Sequence, residues 1–180
     1  MTSPRSEQLQ VEIVESLGNG FITEQVARSL AERHPELCDD IVSWIREAAH
    51  AENWTRVDKF ANLAAPLRVA GLGAALQEIL DSDAVGFNAE DLVDILGEIQ
   101  EVGAVTCLFH VAERSVSEDA PAYWLCQKVT SSLGEIGTPE AHDHLRRMTA
   151  PSWPNTVRWH AAVELGAEEE LGFDEDQMLG

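Results

Sequence analysis

An all-α fold of stacked antiparallel helix pairs is predicted by three features of this sequence. Leu96-Gly97-Glu98-Ile99 recurs as Leu133-Gly134-Glu135-Ile136 after 37 residues, and a third Leu-Gly pair, Leu165-Gly166, follows 32 residues later. A unit of that length accommodates two helices, which bury their apolar faces only by stacking on neighbouring units. Apolar residues recur at three- and four-residue spacing along the chain, and no run alternates with period two, so no sheet is expected.

Taken in order, Leu9, Ile13, Val14 and Leu17 form one helical stripe, which Gly18-Asn19-Gly20 is expected to end through left-handed conformations. Thr23 is an N-cap for a second helix that buries Val26, Ala27, Leu30 and Ala31 and stops before Pro35. Leu37, Ile41, Trp44, Ile45 and Ala48 make the buried stripe of a third, and residues 54–63 a fourth. Pro66 fits the first turn of a fifth running through Val69, Leu72, Leu76 and Leu80. Gly71 and Gly73 inside it each cost about 1 kcal/mol against Ala, which implies a helix crossing close by.

After a polar turn over 81–88, Asn88 caps a helix with Glu90 and Asp91 in its first turn, where the helix dipole favours acids. Its stripe is Leu92, Ile95, Leu96 and Ile99. A helix after Gly103 presents Val105, Leu108, Val111 and Ala112, and the next presents Leu125, Val129, Leu133 and Ile136. Thr138-Pro139-Glu140 is a strong helix start, and Ala141, Leu145 and Met148 face inward behind it. Pro151 and Pro154 break the chain before a last helix of Val157, Ala161, Ala162 and Leu165. The segment 167–180 carries six acids and no base and reads as a partly disordered acidic tail.

The length fits one domain, and 44% hydrophobic residues suffice for a core. No apolar run is long enough for a signal peptide or membrane span, so a cytoplasmic protein is expected. Cys38, Cys107 and Cys126 are odd in number and lack close spacing, and read as reduced core thiols.

The net charge of −20 is uneven. Residues 69–145 hold 14 acids and only Arg114 and Lys128 as bases, a net of −12, against −4 in each flanking segment. Such a field repels nucleic-acid phosphates and anionic lipids and speeds encounter with a basic protein. Direct nucleic-acid and membrane binding are therefore excluded, while acidity for solubility alone is the plainer reading.

The stretch Leu133-Gly134-Glu135-Ile136-Gly137-Thr138-Pro139-Glu140-Ala141-His142-Asp143-His144-Leu145, followed by Val157-Arg158-Trp159-His160-Ala161-Ala162-Val163-Glu164-Leu165-Gly166, resembles bacterial HEAT repeats of the phycobilisome-lyase type. In that family a Leu-Gly ends the first helix, Pro-Glu-Ala opens the second, and Val-Arg with alanines opens the next unit. The resemblance spans about residues 88–166. It is weaker over 88–113, where Glu101-Val102-Gly103 replaces Pro-Glu-Ala, and residues 1–65 share only helical character. It implies a right-handed, armadillo-like α-solenoid of about nine or ten helices. Residues 1–166 would be one domain, with divergent helices in 1–65 and HEAT-like repeats in 66–166. The usual role of the family is to hold another macromolecule on a concave side, and Arg158 there ties repeats together through a carboxylate.

Enzymes with this architecture set tests. HEAT-like hydroxylases hold iron with His-Glu dipeptides, which this chain lacks. His142 and His144 are two apart and point about 200° from one another on a helix, so they cannot share an ion, and Glu140 with His144 lacks a third ligand. Neither a metal nor any other cofactor is expected. HEAT-like glycosylases need a basic groove, which the central acids oppose. No nucleophile elbow or phosphate loop is present. A lyase- or hydroxylase-like enzyme acting on a small molecule remains the alternative.

The leading expectation is a non-catalytic scaffold that binds a basic protein, as a monomer or weak dimer, through acids on second helices and loops: Glu101, Glu113, Glu118, Asp119, Glu140 and Asp143. By analogy with small acidic bacterial solenoids that can serve as immunity proteins, the sharper expectation is a protein that plugs the basic substrate cleft of a toxin. Among the tryptophans, Trp44, Trp124 and Trp159 read as core. Trp153, between two prolines at a repeat end, is either core or a partner anchor.

Overall fold

The computed structural model describes residues 4–17, 22–82 and 84–179, with side chains from residue 6. Gly18-Asn19-Gly20, the expected terminator of the first helix, lies outside the described residues, as do Asp83 of the polar turn and Gly180 of the tail. Every helix predicted from spacing is present, and no strand occurs among the described residues. By its internal contacts the chain divides into two compact units, residues 1–88 and 89–180.

The first unit holds α1 (Pro4–Leu17), α2 (Glu24–Arg33), α3 (Leu37–His50), α4 (Trp54–Ala64) and α5 (Leu72–Leu80); α3 packs on α2, α4 and α5, and α1 packs on α4. Thr23 accepts a hydrogen bond from the Val26 N–H and starts α2 as its sequence requires. Trp44 is 1% exposed, its ring 5.6 Å from that of Phe60. Its indole N–H donates to the Ser6 hydroxyl at 2.9 Å, so the one polar atom of this buried ring is satisfied.

The fifth helix departs from expectation. Pro66 lies in a turn, and α5 begins only at Leu72. Gly71 has φ +83°, a left-handed conformation that a right-handed helix cannot contain, so the glycine marks the helix start and not its interior. Gly73 is buried within α5, which packs on both α3 and α4.

The second unit holds α6 (Ala89–Glu98), a 3-10 turn (Val102–Ala104), α7 (Val105–Ser115), α8 (Trp124–Ile136), α9 (Pro139–Met148), α10 (Asn155–Leu165) and α11 (Glu175–Leu179). Here α8 is central. It packs on α6 and α10 in one row and on α7 and α9, themselves in contact, in another. Thr138 caps α9 through the Ala141 N–H with Pro139 in the first turn, and Gly137 and Gly166, at φ +63° and +61°, end α8 and α10 in left-handed conformations.

The described residues contain eleven α-helices, not nine or ten, because the acidic segment after residue 166 carries α11, which packs on α10. Asp174 accepts a hydrogen bond from the Gln177 N–H at 3.1 Å, and Glu175 and Asp176 occupy the favourable first turn.

Candidate functional site

The two leucine-glycine-glutamate repeats place carboxylates. Gly97 of α6 and Gly134 of α8 lie inside their helices, and the space a side chain would fill there is taken by the next helix in the row. A Cβ at Gly97 would sit 2.7 Å from the Glu135 carboxylate and 2.8 Å from the Ser132 Cα; one at Gly134 would collide with the Glu164 carboxylate. Ser132, buried at this crossing, donates to the Val93 carbonyl at 2.9 Å. Gly166 plays no such part, since nothing lies within 4 Å of its Cβ direction.

Glu135 therefore lies against α6, where burial first and then the charges of Asp94 and Glu98 raise its pKa, with Lys128 opposing. Glu164 is raised by burial and by Glu135, against a hydrogen bond with Ser131. Lys128 pairs with Asp94 and is held further charged by Glu90 and Asp91. An acidic ridge thus runs along α6, α8 and α10, and the expected site residues do not include it. The repeat itself was its signal, because each notch needs a side chain to fill it.

The second-row face gathers Glu113 of α7 and Glu140 of α9. Glu140 accepts from the Thr106 hydroxyl at 3.1 Å, and Glu113 lies 3.9 Å from the Arg147 guanidinium. Arg147 covers the Phe109 ring at 4.2 Å from its centroid, and its Nη1 lies 3.3 Å from His144 Nδ1. The His144 ring stacks on Phe109 at 4.4 Å, and Trp153 packs on the same ring at 5.9 Å. Phe109 itself is 2% exposed. Burial first, and then Arg147, lowers the His144 pKa, while Glu140 and Glu113 raise it and His110 lowers it. Trp153 is thus half-buried at the edge of this aromatic cluster.

The remaining expected residues sit apart from that cluster. Glu101 accepts from the Gly103 N–H at 3.3 Å and caps the 3-10 turn. Asp119 accepts from the Cys126 N–H at 2.9 Å, so it anchors the start of α8, whose cap position, Tyr123, makes no side-chain bond to the helix. Glu118 is exposed in the turn after α7, and Asp143 pairs with Arg146 one turn along α9.

Several core assignments need correction: Val26, expected on the buried face of α2, is 42% exposed. Trp124 is 60% exposed at the first position of α8, because the buried stripe starts two residues later at Cys126. Trp159 is half-buried. Cys38 is exposed in the first turn of α3, whereas Cys107 and Cys126 are buried, and burial pushes the Cys126 thiol up to about 12. Arg158 is held by neighbours within the second unit. It donates to the Thr149 carbonyl at 3.1 Å and to Asn155 at 2.9 Å and lies over the Phe173 ring at 4.9 Å.

Among the described residues no group of three or more His, Cys, Asp or Glu side chains could hold a metal ion. No helix among them is long and apolar enough to cross a membrane. Comparisons with models of protein families, with curated proteins and with solved structures find no match to this chain.

Proposed function

We propose that this chain is a HEAT-like helical scaffold that binds a basic protein without catalysis, of the kind that neutralises a basic toxin. The observation that carries the reading is an excess of acid that the protein's own bases do not offset. Residues 89–180 hold 18 acids and five bases, a net of −13. Lys128, Arg146 and Arg147 already face Asp94, Asp143 and Glu113. Arg158 spends its donors on a carbonyl and an amide. The net charge left over attracts positive charge over about a Debye length, roughly 8 Å at physiological ionic strength.

The HEAT-like assignment draws support from α6 and α8, which carry equivalent glycines and pack as neighbours in one row. Glu140, and Glu113 in exchange for its contact with Arg147, are the acids offered to a partner, beside the half-buried Trp153 at the edge of the aromatic cluster. In this reading the protein works in the cytoplasm as a monomer or weak dimer.

The test is affinity capture from the native organism's lysate, eluted with a salt gradient, against a bait carrying Glu113→Lys and Glu140→Lys. A basic protein retained by the wild type, released by moderate salt and bound about tenfold or more weakly by the variant is the expected result. Equal retention by both baits removes the acidic face from the explanation.

A further inference from the structure

We propose that His144 is a pH-operated latch, holding Arg147 over the Phe109 ring while the imidazole is neutral and releasing it when the imidazole gains a proton. A neutral imidazole that carries its proton on Nε2 presents a lone pair at Nδ1, and the Arg147 guanidinium, with donors only, lies 3.3 Å from that atom. The same guanidinium covers Phe109 at 4.2 Å from the centroid, within the range of a cation–π contact. Phe109 is thus shared by four neighbours: the His144 ring at 4.4 Å, Trp153 at 5.9 Å, the adjacent His110 ring at 6.4 Å and Arg147.

Protonation turns Nδ1 from acceptor into donor and places a positive charge against a second one. The pair then repels, and each cation has a carboxylate within reach. Glu140 lies one helical turn before His144 on α9, and Glu113 on α7 already stands 3.9 Å from Arg147. His144 moves toward Glu140, Arg147 moves toward Glu113, and the Phe109 face beside Trp153 opens. The groups acting on the ring come from the two helices of this face: His110 and Glu113 on α7, Glu140 and Arg147 on α9. Lys128 and Glu135 of α8, and Arg158, His160 and Glu164 of α10, are not among them. Burial first and then Arg147 oppose the charged form of His144 and so favour the neutral imidazole that the latch requires.

The latch has a consequence for binding that rests on the proposed function. Glu113 and Glu140 are the acids offered to a basic partner, and below the His144 titration both are claimed by cations of this chain. Affinity for the partner then falls on mild acidification.

The experiment is nuclear magnetic resonance of the full chain between about pH 5 and pH 8, following the His144 ring and the Trp153 indole N–H, the latter assigned with Trp153→Phe. The Trp153 signal is expected to move with the His144 midpoint, which lies below the ordinary histidine value. Arg147→Gln should raise that midpoint and flatten the Trp153 response, and His144→Gln should abolish the response. A Trp153 signal that ignores the His144 titration, or a midpoint unchanged by Arg147→Gln, overturns the latch. Both readouts use the free protein, so a positive titration with no basic partner retained sinks the proposed function and leaves the latch standing.

Discussion

Glu135 and Glu164 are exposed by area, yet each carboxylate lies in a notch on the neighbouring helix, and burial raises both pKa values. The folded protein then takes up protons, as pH falls toward the ordinary carboxylate range, before the unfolded chain does. These two acids therefore cost stability at neutral pH, and the cost is relieved as pH drops through their folded pKa values. Histidine contributes the opposite slope. Burial lowers both His144 and His160, so the unfolded chain binds protons first below the ordinary histidine value, and stability is lost from there down to the folded pKa values. Glu135→Gln with Glu164→Gln keeps the shape and removes the charge. Each is expected to raise the neutral-pH melting temperature by about 1–2 °C, corresponding to about 0.5 kcal/mol at a partly solvated site. Melting from pH 4 to pH 8 checks this: the variant should lose the gain on the carboxylate limb and keep the histidine limb unchanged.

At the scale of elements, the crossing of α6 and α8 separates two glycines that look alike in sequence. At Gly97 an added Cβ meets the backbone Cα of Ser132 at 2.8 Å, which can yield only if the helices part. At Gly134 the crowding atoms all belong to the Glu164 side chain, whose carboxylate can swing toward water. Gly97→Ala is thus expected to lose about 1–3 kcal/mol from overpacking, against a helix-propensity gain of about 1 kcal/mol. Gly134→Ala should be neutral or slightly stabilising, and urea denaturation of the two variants, followed by circular dichroism, distinguishes them. Equal effects would mean that the helices adjust more freely than this crossing implies. The helices were legible because an apolar stripe is a local pattern: Thr23, Thr138, Gly137 and Gly166 act as caps from their own residue types. Less legible were features set by distant residues or by chain reversal. Gly71 reads as helix interior until its left-handed φ is seen, and Asp119 reads as a surface acid until it is found on the Cys126 N–H seven residues away. The face shared by Glu113 and Glu140 depends on how α7 meets α9, which neither helix records alone.

At the scale of the whole molecule, the charge of −20 bears on folding and on the proposed binding, with opposite dependence on salt. Within the folded chain the acids repel one another, and ions screen that repulsion, so salt stabilises the fold. Between the chain and a basic partner the same acids attract, and screening weakens the complex. Raising the ionic strength from about 0.01 M to about 1 M shortens the screening length from about 30 Å to about 3 Å, shorter than the spacing of most exposed charges. The melting temperature is expected to rise across that series while partner affinity falls by about tenfold or more, most of the change appearing as slower association. The two trends must be measured in one buffer series, with calorimetry for the fold and stopped-flow mixing for the complex. Solubility alone would require only the first trend, because acids kept for dispersal need no partner. A melting temperature that rises with salt beside an association rate indifferent to it would therefore leave the acids a role in solubility and none in recognition.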